Sequence, residues 1–387
     1  MKQEGREFMT LCDRRTILRS GALGALSLGA KALPSRVLSS DSSRTERIVI
    51  VALAGGVRTR ETFGTPSNVP SLMRMAEQGV LFPRTRASNL GHFGATLSIF
   101  TGISESRGIR DNARGTDPTL FEYLRKDLGL KASEVWISTS GGAQEANLAY
   151  SLHPDFGSRF GAGALDGDGI FNAEFKALLD TYGKPRDLGA KEQALFERMR
   201  GALGDGGQGT LADSDSVARV ETFLLEELRR GTQDIKGIGA ADAKAFRVAR
   251  NLLAVFRPRV LSVVLRDADV AHGNFNNYVQ VIRRNDEMLG ELWSCIQADP
   301  ELASTTAMFV LPEFGRDADL NSRRGLDHGD GSEDLNYVSL LCLGPGFRRG
   351  EVVREEVNTI DVCATVCALA GADARYARGK RLPRLLG

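Results

Sequence analysis

Apolar residues in this chain fall into short unbroken runs, separated by longer stretches in which they recur every three or four positions. The run Arg47–Leu53, RIVIVAL, is β-branched, continuous and stopped by Gly55-Gly56, the pattern of a strand buried on both faces of a sheet. Runs at 80–82, Val135–Thr139, Val260–Leu265, 307–311 and 338–343 read the same way. Between them, residues 69–79 and 277–296 have helical spacing, the first closed by Gly79 as a cap. Strands interleaved with helices predict an α/β fold whose mostly parallel sheet is covered on both faces. In such sheets ligands gather beyond the C-terminal ends of strands. There the sequence places Asp267, Asp269 and His272 after one strand and Glu313 after another.

Residues 151–255 break this rhythm. They are rich in glycine and charge, with helical segments at 192–203 and 216–230 and no convincing strand. They are expected to form a helical insertion over one side of the sheet, within a domain spanning 47–387. No repeat at a fixed period is present.

The N-terminus is expected to lie outside the fold. Asp13-Arg14-Arg15-Thr16-Ile17-Leu18-Arg19 precedes a Gly/Ala/Leu-rich stretch from 20 to 33 and resembles a twin-arginine export signal. The stretch is too short and too glycine-rich for a stable membrane span. Ala30-Lys31-Ala32 offers a cleavage site, and a linker at 33–46 follows, serine-rich at 39–43. Removing residues 1–32, which hold six bases and three acids, takes the formal charge from +1 to −2. The twin-arginine export machinery is the expected partner and the periplasm or extracellular space the expected location. A disordered basic tail is the alternative.

At 387 residues and 42% apolar content the chain can bury a large core. A formal charge of +1 without a long basic block argues against nucleic acid as a partner. The five cysteines are few and odd in number; Cys363 and Cys367 lie in an apolar, helix-like stretch with no histidine nearby, so they read as buried thiols. The four histidines say more. Three sit in glycine-flanked junctions: Gly91-His92-Phe93-Gly94, Asp267-Ala268-Asp269-Val270-Ala271-His272-Gly273 and Gly325-Leu326-Asp327-His328-Gly329. In the last two the histidine lies beside carboxylates, just after an apolar run. Nitrogen and oxygen donors gathered at one sheet edge suggest a divalent metal, zinc first, with Asp267, Asp269, His272, Asp327 and His328 as candidate ligands. His153 reads as structural.

Four segments resemble the alkaline phosphatase and sulfatase superfamily. Arg47–Gly56 is similar to its opening strand, and Val69-Pro70-Ser71-Leu72-Met73-Arg74-Met75-Ala76-Glu77-Gln78-Gly79 to its first helix. Leu97-Ser98-Ile99-Phe100-Thr101-Gly102 resembles the helix that follows the nucleophile, and Val357–Gly371 a C-terminal helix. Within that superfamily, Leu311-Pro312-Glu313-Phe314-Gly315-Arg316, then Asn321 and Asp327-His328-Gly329, resemble a twin-arginine-exported bacterial branch known as a domain of unknown function. The resemblance implies an alkaline-phosphatase-like three-layer sandwich with a mostly parallel central sheet and a helical insertion.

It also implies two metal sites, with an activated Ser, Thr or formylglycine nucleophile, and here this chain departs from the pattern. Gly55-Gly56 stands where the family has an acid, His92 where it has the nucleophile, and Glu313-Phe314 where it has an Asp–His pair. One site is therefore expected intact, at Asp267 or Asp269 with His272 and His328, and the other damaged. No cysteine lies between Cys12 and Cys295, which disfavours a formylglycine sulfatase.

The expected activity is hydrolysis of a phosphate, sulfate or related ester, with His92 or Glu313 as general base, water as the attacking group, and Arg58 binding the small anionic substrate. Ser88 and Thr96 are fallback nucleophiles. His92 is open between ligand, base and helix cap; Glu313 between a ligand of the weakened site and a partner of Arg316; Arg58 between substrate binding and a structural pair. The alternatives are a non-catalytic, metal-binding member of the same fold acting as a binding or accessory protein, and a protein in which metal only holds loops together.

Overall fold

A computed structural model describes residues 45–105, 112–141, 143–166 and 234–387. The signal-like segment at 1–32 and the helices expected at 192–203 and 216–230 lie outside them.

The described residues form a nine-stranded sheet of β1 Arg47–Leu53, β2 Val80–Arg86, β3 Val135–Thr139, β4 Gly163–Asp166, β5 Val260–Leu265, β6 Thr306–Pro312, β7 Tyr337–Leu343, β8 Glu351–Val352 and β9 Val357–Asn358. Their order is β4-β3-β5-β1-β6-β7-β2-β8, with β9 also on β2. β1 is central and parallel to both neighbours, Ile48 pairing with Val260 of β5 and Ala307 of β6. β7 runs antiparallel to β6 and β2, so the sheet is mostly rather than wholly parallel.

The unbroken apolar run of β1 follows from helices covering both faces. Side chains alternate across a strand. Val49, Val51 and Leu53 pack with helices Pro70–Ala76, Ala240–Phe256 and Phe275–Ala298, while Ile48, Ile50 and Ala52 pack with helices His92–Thr101, Leu120–Leu128 and Asp361–Ala370. The result is the expected three-layer α/β sandwich. Every β1 residue after Arg47 is buried, and each large aliphatic side chain contributes about 1.5–3 kcal/mol.

Two departures have local causes. β2 continues beyond the 80–82 run to Arg86, with a register shift between Phe82 and Thr85 where Pro83 supplies no N–H to the ladder. The span 151–255, expected to hold no strand, contains β4. β4 is a four-residue edge strand beginning at Gly163, where a Cβ would lie 2.6 Å from the Trp136 ring. All but the last residue of helix Ala240–Phe256 also falls in this span, and that helix packs into the core against the sheet.

Asp242, in the first turn of that helix, fastens it to the loop after β5. Its buried carboxylate accepts from Arg266 N (2.9 Å), Asp267 N (3.1 Å), Ser140 Oγ (2.5 Å) and Asn285 Nδ2 (2.8 Å). Replacing Asp242 with alanine removes the acceptor of Asp267 N and Asn285 Nδ2 in the interior, while Arg266 N keeps its bond to Ser140 Oγ. The expected loss is about 3 kcal/mol of stability, measured as a shift of the urea midpoint at unchanged slope.

Candidate active site

Three loops leave the C-terminal edge of the central strands side by side. Gly55-Gly56 follows β1, the 3₁₀ turn Asp267–His272 follows β5, and Glu313–Arg316 follows β6. Helix His92–Thr101 points its first residue at the same place, and the 325–329 loop lies over it: His328 packs on His92 and His272 with ring centroids 4.9 and 5.0 Å apart. Residues far apart in sequence thus meet because β1, β5 and β6 are neighbours in one parallel sheet.

His92 is buried at 4% exposure. Its Nδ1 contacts Glu313 Oε1 at 2.5 Å and Ala54 O at 3.1 Å. Glu313 is fully buried and also accepts from Thr96 Oγ1 at 2.5 Å. On the other side, His92 Nε2 lies 2.9 Å from Asp269 Oδ1, an ionic contact at an angle that leaves Nε2 without a hydrogen bond. Burial by itself would lower the imidazole pKa. The Glu313 charge, with Asp269 on the far side, outweighs it and holds the ring up to about 9.

His272 repeats the arrangement. Its Nδ1 contacts Asp327 Oδ1 at 2.7 Å and its Nε2 lies 3.3 Å from Asp269 Oδ1. Both rings are therefore steered from behind by a carboxylate, with the second nitrogen aimed at Asp269, as is usual for metal-ligating histidines. His328 makes no hydrogen bond through its ring among the described residues. Burial, then the positive charges of His92 and Arg316, push its pKa down to about 4, so it is a neutral imidazole with a free lone pair. Nitrogens of His92, His272 and His328 lie within 4.8 Å of one another.

This donor set fits a divalent ion. It combines the His272 and His328 imidazoles with the Asp269 carboxylate, whose Oδ1 lies 3.3 Å from His272 Nε2; His92 Nε2, buried and without a hydrogen bond, stands beside them 2.9 Å from the same oxygen. The edges of a four-coordinate zinc site, at about 3.3 Å, are of that size.

Arg316 ties the site together. Its guanidinium is wholly buried and donates to Gly55 O, to Gly56 O at 3.3 Å, to Leu326 O at 3.3 Å and to Asp269 Oδ1 at 2.6 Å. The Gly55-Gly56 turn makes room for it. A Cβ on Gly55 would lie 2.6 Å from Asp269 N, and one on Gly56, at φ 68°, would lie 2.7 Å from Arg316 Nε. Asp269 would be raised by burial, but His92 and Arg316 hold it well below the usual carboxylate range.

Among the residues singled out from the sequence, His92, Asp269, His272, Glu313 and His328 come together, and Asp327 reaches the group only through His272 Nδ1. Asp267 is turned away, its Oδ2 accepting from Asp242 N at 3.0 Å. Arg58 is placed otherwise than expected for a substrate-binding residue. It is 3% exposed, pairs through two hydrogen bonds with Glu61 (2.6 and 2.7 Å) and donates to Asp317 O and Ala318 O, so that its charge is matched by Glu61 and four of its five N–H groups are engaged. Thr96 is buried against Glu313 and Ser88 bonds Thr359. Glu313 pairs with His92 and not, as was one expectation, with Arg316. His153 lies outside the group, edge-on to Phe156 and tilted against Tyr376, and Cys363 and Cys367 are buried free thiols. Sequence reading missed Glu145, buried against Arg266 at 2.8 Å with its pKa raised to about 7 by burial. It sits in the 3₁₀ helix Ala143–Leu148, with no motif to mark it.

No family model and no curated protein matches the sequence. Solved structures do match in fold. Wild-type alkaline phosphatase PafA superposes with a TM-score of 0.58 at 12% identity, covering 92% of this chain and 100% of that one. A protein in the alkaline phosphatase superfamily from Vibrio parahaemolyticus gives 0.50 at 12% identity, covering 89% and 71%. The fold is alkaline-phosphatase-like. Among the described residues no helix is long and apolar enough to cross a membrane.

The two perturbed histidines set opposite pH limits on the metal-free protein. His92, raised to about 9, contributes stability fully below pH 6.5 and loses it as pH rises through 9; His328, lowered to about 4, favours the fold above 6.5 and loses that as pH falls. Ring-proton NMR of chelator-treated protein is expected to show these two midpoints on either side of 6.5. Glu313→Gln is expected to move the His92 midpoint down.

Proposed function

We propose that the chain is an exported hydrolase of phosphate, sulfate or related esters that works with one divalent metal, zinc by its donor set. The observation that carries this reading is the pair of carboxylate-steered histidines: His92 on Glu313 and His272 on Asp327, both aimed at Asp269 beside the neutral His328. His272, His328 and Asp269 would hold the ion, which supplies polarisation of the ester and activation of water. Zinc fits three N/O donors with a position left open.

His92 stays in reserve for the proton. In the metal-free protein it is held charged, its Nε2 has no hydrogen-bond acceptor, and Glu313 anchors it from behind. That equips it to donate to the departing ester oxygen rather than to act as base. Glu313, with no exposed surface, acts through His92. The superfamily likeness of the fold supports the ester class, and the twin-arginine pattern at 13–19 supports export. A second reading, a non-catalytic metal-binding protein of the same fold, is favoured by Arg316. Its buried guanidinium fills the space beside Gly55-Gly56 and engages Asp269.

Elemental analysis and turnover separate the two. Purified protein should carry about one zinc per chain, lost in His328→Ala, and should release phosphate or sulfate from one of a panel of esters. In His92→Ala, esters of poor leaving groups should lose about 10²–10⁴-fold in kcat while nitrophenyl esters lose far less. Zinc bound at one equivalent without turnover would replace the hydrolase reading with the second one.

A further inference from the structure

Far from the site just described, the C-terminal segment packs against helix Asp361–Ala370 and leaves a cleft of about 320 Å³ open to solvent. Its floor is apolar, made by Leu369, Leu382 and Leu385, with Leu386 at the rim and 56% exposed. The rim is basic. Arg381 and Arg384 line the cleft, and Lys380 adjoins it. Arg348 is brought to the same edge by the Phe347–Leu386 bridge and by donating through Nε to Leu386 O at 3.0 Å, with Arg349 next to it. Val352, 47% exposed, belongs to β8, whose Glu351 pairs with Arg384.

The charge on this face is one-sided. Residues 375–387 contain five bases and no acid. Arg384 is matched by Glu351, and Arg375 by Asp127 and Asp373. Arg349, Lys380 and Arg381 are exposed and form no ion pair among the described residues. An apolar cleft edged by these exposed cations does not suit a neutral ligand alone. It suits a partner that is anionic at its surface and apolar just beneath.

We propose that this face docks on a membrane surface containing anionic phospholipid, with Arg349, Lys380 and Arg381 on headgroup phosphates and Leu386 and the cleft floor taking the acyl region beneath. Each base near such a surface contributes a few-fold in affinity, screened by salt. The attachment is peripheral and needs no spanning helix.

The test is sedimentation of the full chain with vesicles. Binding is expected to mixed phosphatidylglycerol and phosphatidylcholine and not to pure phosphatidylcholine, and to weaken as salt is raised. The double variant Lys380→Glu, Arg381→Glu should weaken binding by more than about 20-fold, and Leu386→Asp should also lose it. Lys380→Arg should retain it, and unchanged melting curves show that the variants fold. Equal binding to both vesicle types, or full binding by the charge-reversed variant, overturns the proposal. So does binding of a monomeric anionic amphiphile such as dodecyl phosphate without any binding to vesicles, which would make the cleft a soluble-ligand site.

Discussion

The ion pair between the wholly buried Arg316 and the partly exposed Asp269 is the contact on which the rest of the site depends. A guanidinium with no exposure to water needs a full set of acceptors, and Arg316 finds them on three different loops. It holds the turn after β1 through Gly55 and Gly56, the loop after β5 through Asp269, and the loop carrying His328 through Leu326. Removing Asp269 would leave the Arg316 charge buried on carbonyl acceptors alone, at a cost below the ~3–5 kcal/mol of a fully buried pair because Asp269 is partly screened by solvent. The same bonds that satisfy Arg316 therefore fix the loops carrying His272 and His328 relative to each other, while His92 is held by Ala54 O and Glu313.

From that anchor the electrostatics follow in order. Asp269 is kept ionised by Arg316 and His92. His92 is kept charged by Glu313 and Asp269. His328, facing several cations and burial together, stays neutral. The group is thus not a loose collection of polar residues but an alternation of charge across a few ångströms. Two carboxylates outside the centre, Glu313 and Asp327, set ring orientation, and one inside it, Asp269, faces the donors. A cation would enter between groups already aimed at one another, with little to rearrange.

Much of the fold was legible because buried parallel strands write themselves as unbroken apolar runs: β1, β3, β5, β6 and β7 all begin and end within a residue of those runs. β4 was hidden because an edge strand of four residues that starts with glycine has no such signature. The extension of β2 was hidden behind Pro83. In the site, glycine-flanked histidines and their acidic neighbours were visible as candidates, but which atom meets which was not. Asp267 and Asp269 are indistinguishable by spacing, and only the 3₁₀ turn sends one to Asp242 N and the other to Arg316. Arg58 looked like an anion binder because Glu61 and the carbonyls of Asp317 and Ala318, its actual partners, are either ordinary neighbours or distant in sequence. Arg316 was named from its motif, yet its partner could be settled only by the approach of the β5 and β6 loops.

The central claim is that imidazoles and a carboxylate converge to bind one metal ion. X-ray absorption at the zinc edge of the loaded protein tests it most directly. The account predicts a low-coordinate shell, with the outer-shell scattering of two imidazoles and one carboxylate oxygen near 2 Å, at about the bond lengths usual for zinc. A six-coordinate, all-oxygen shell without imidazole scattering would contradict it.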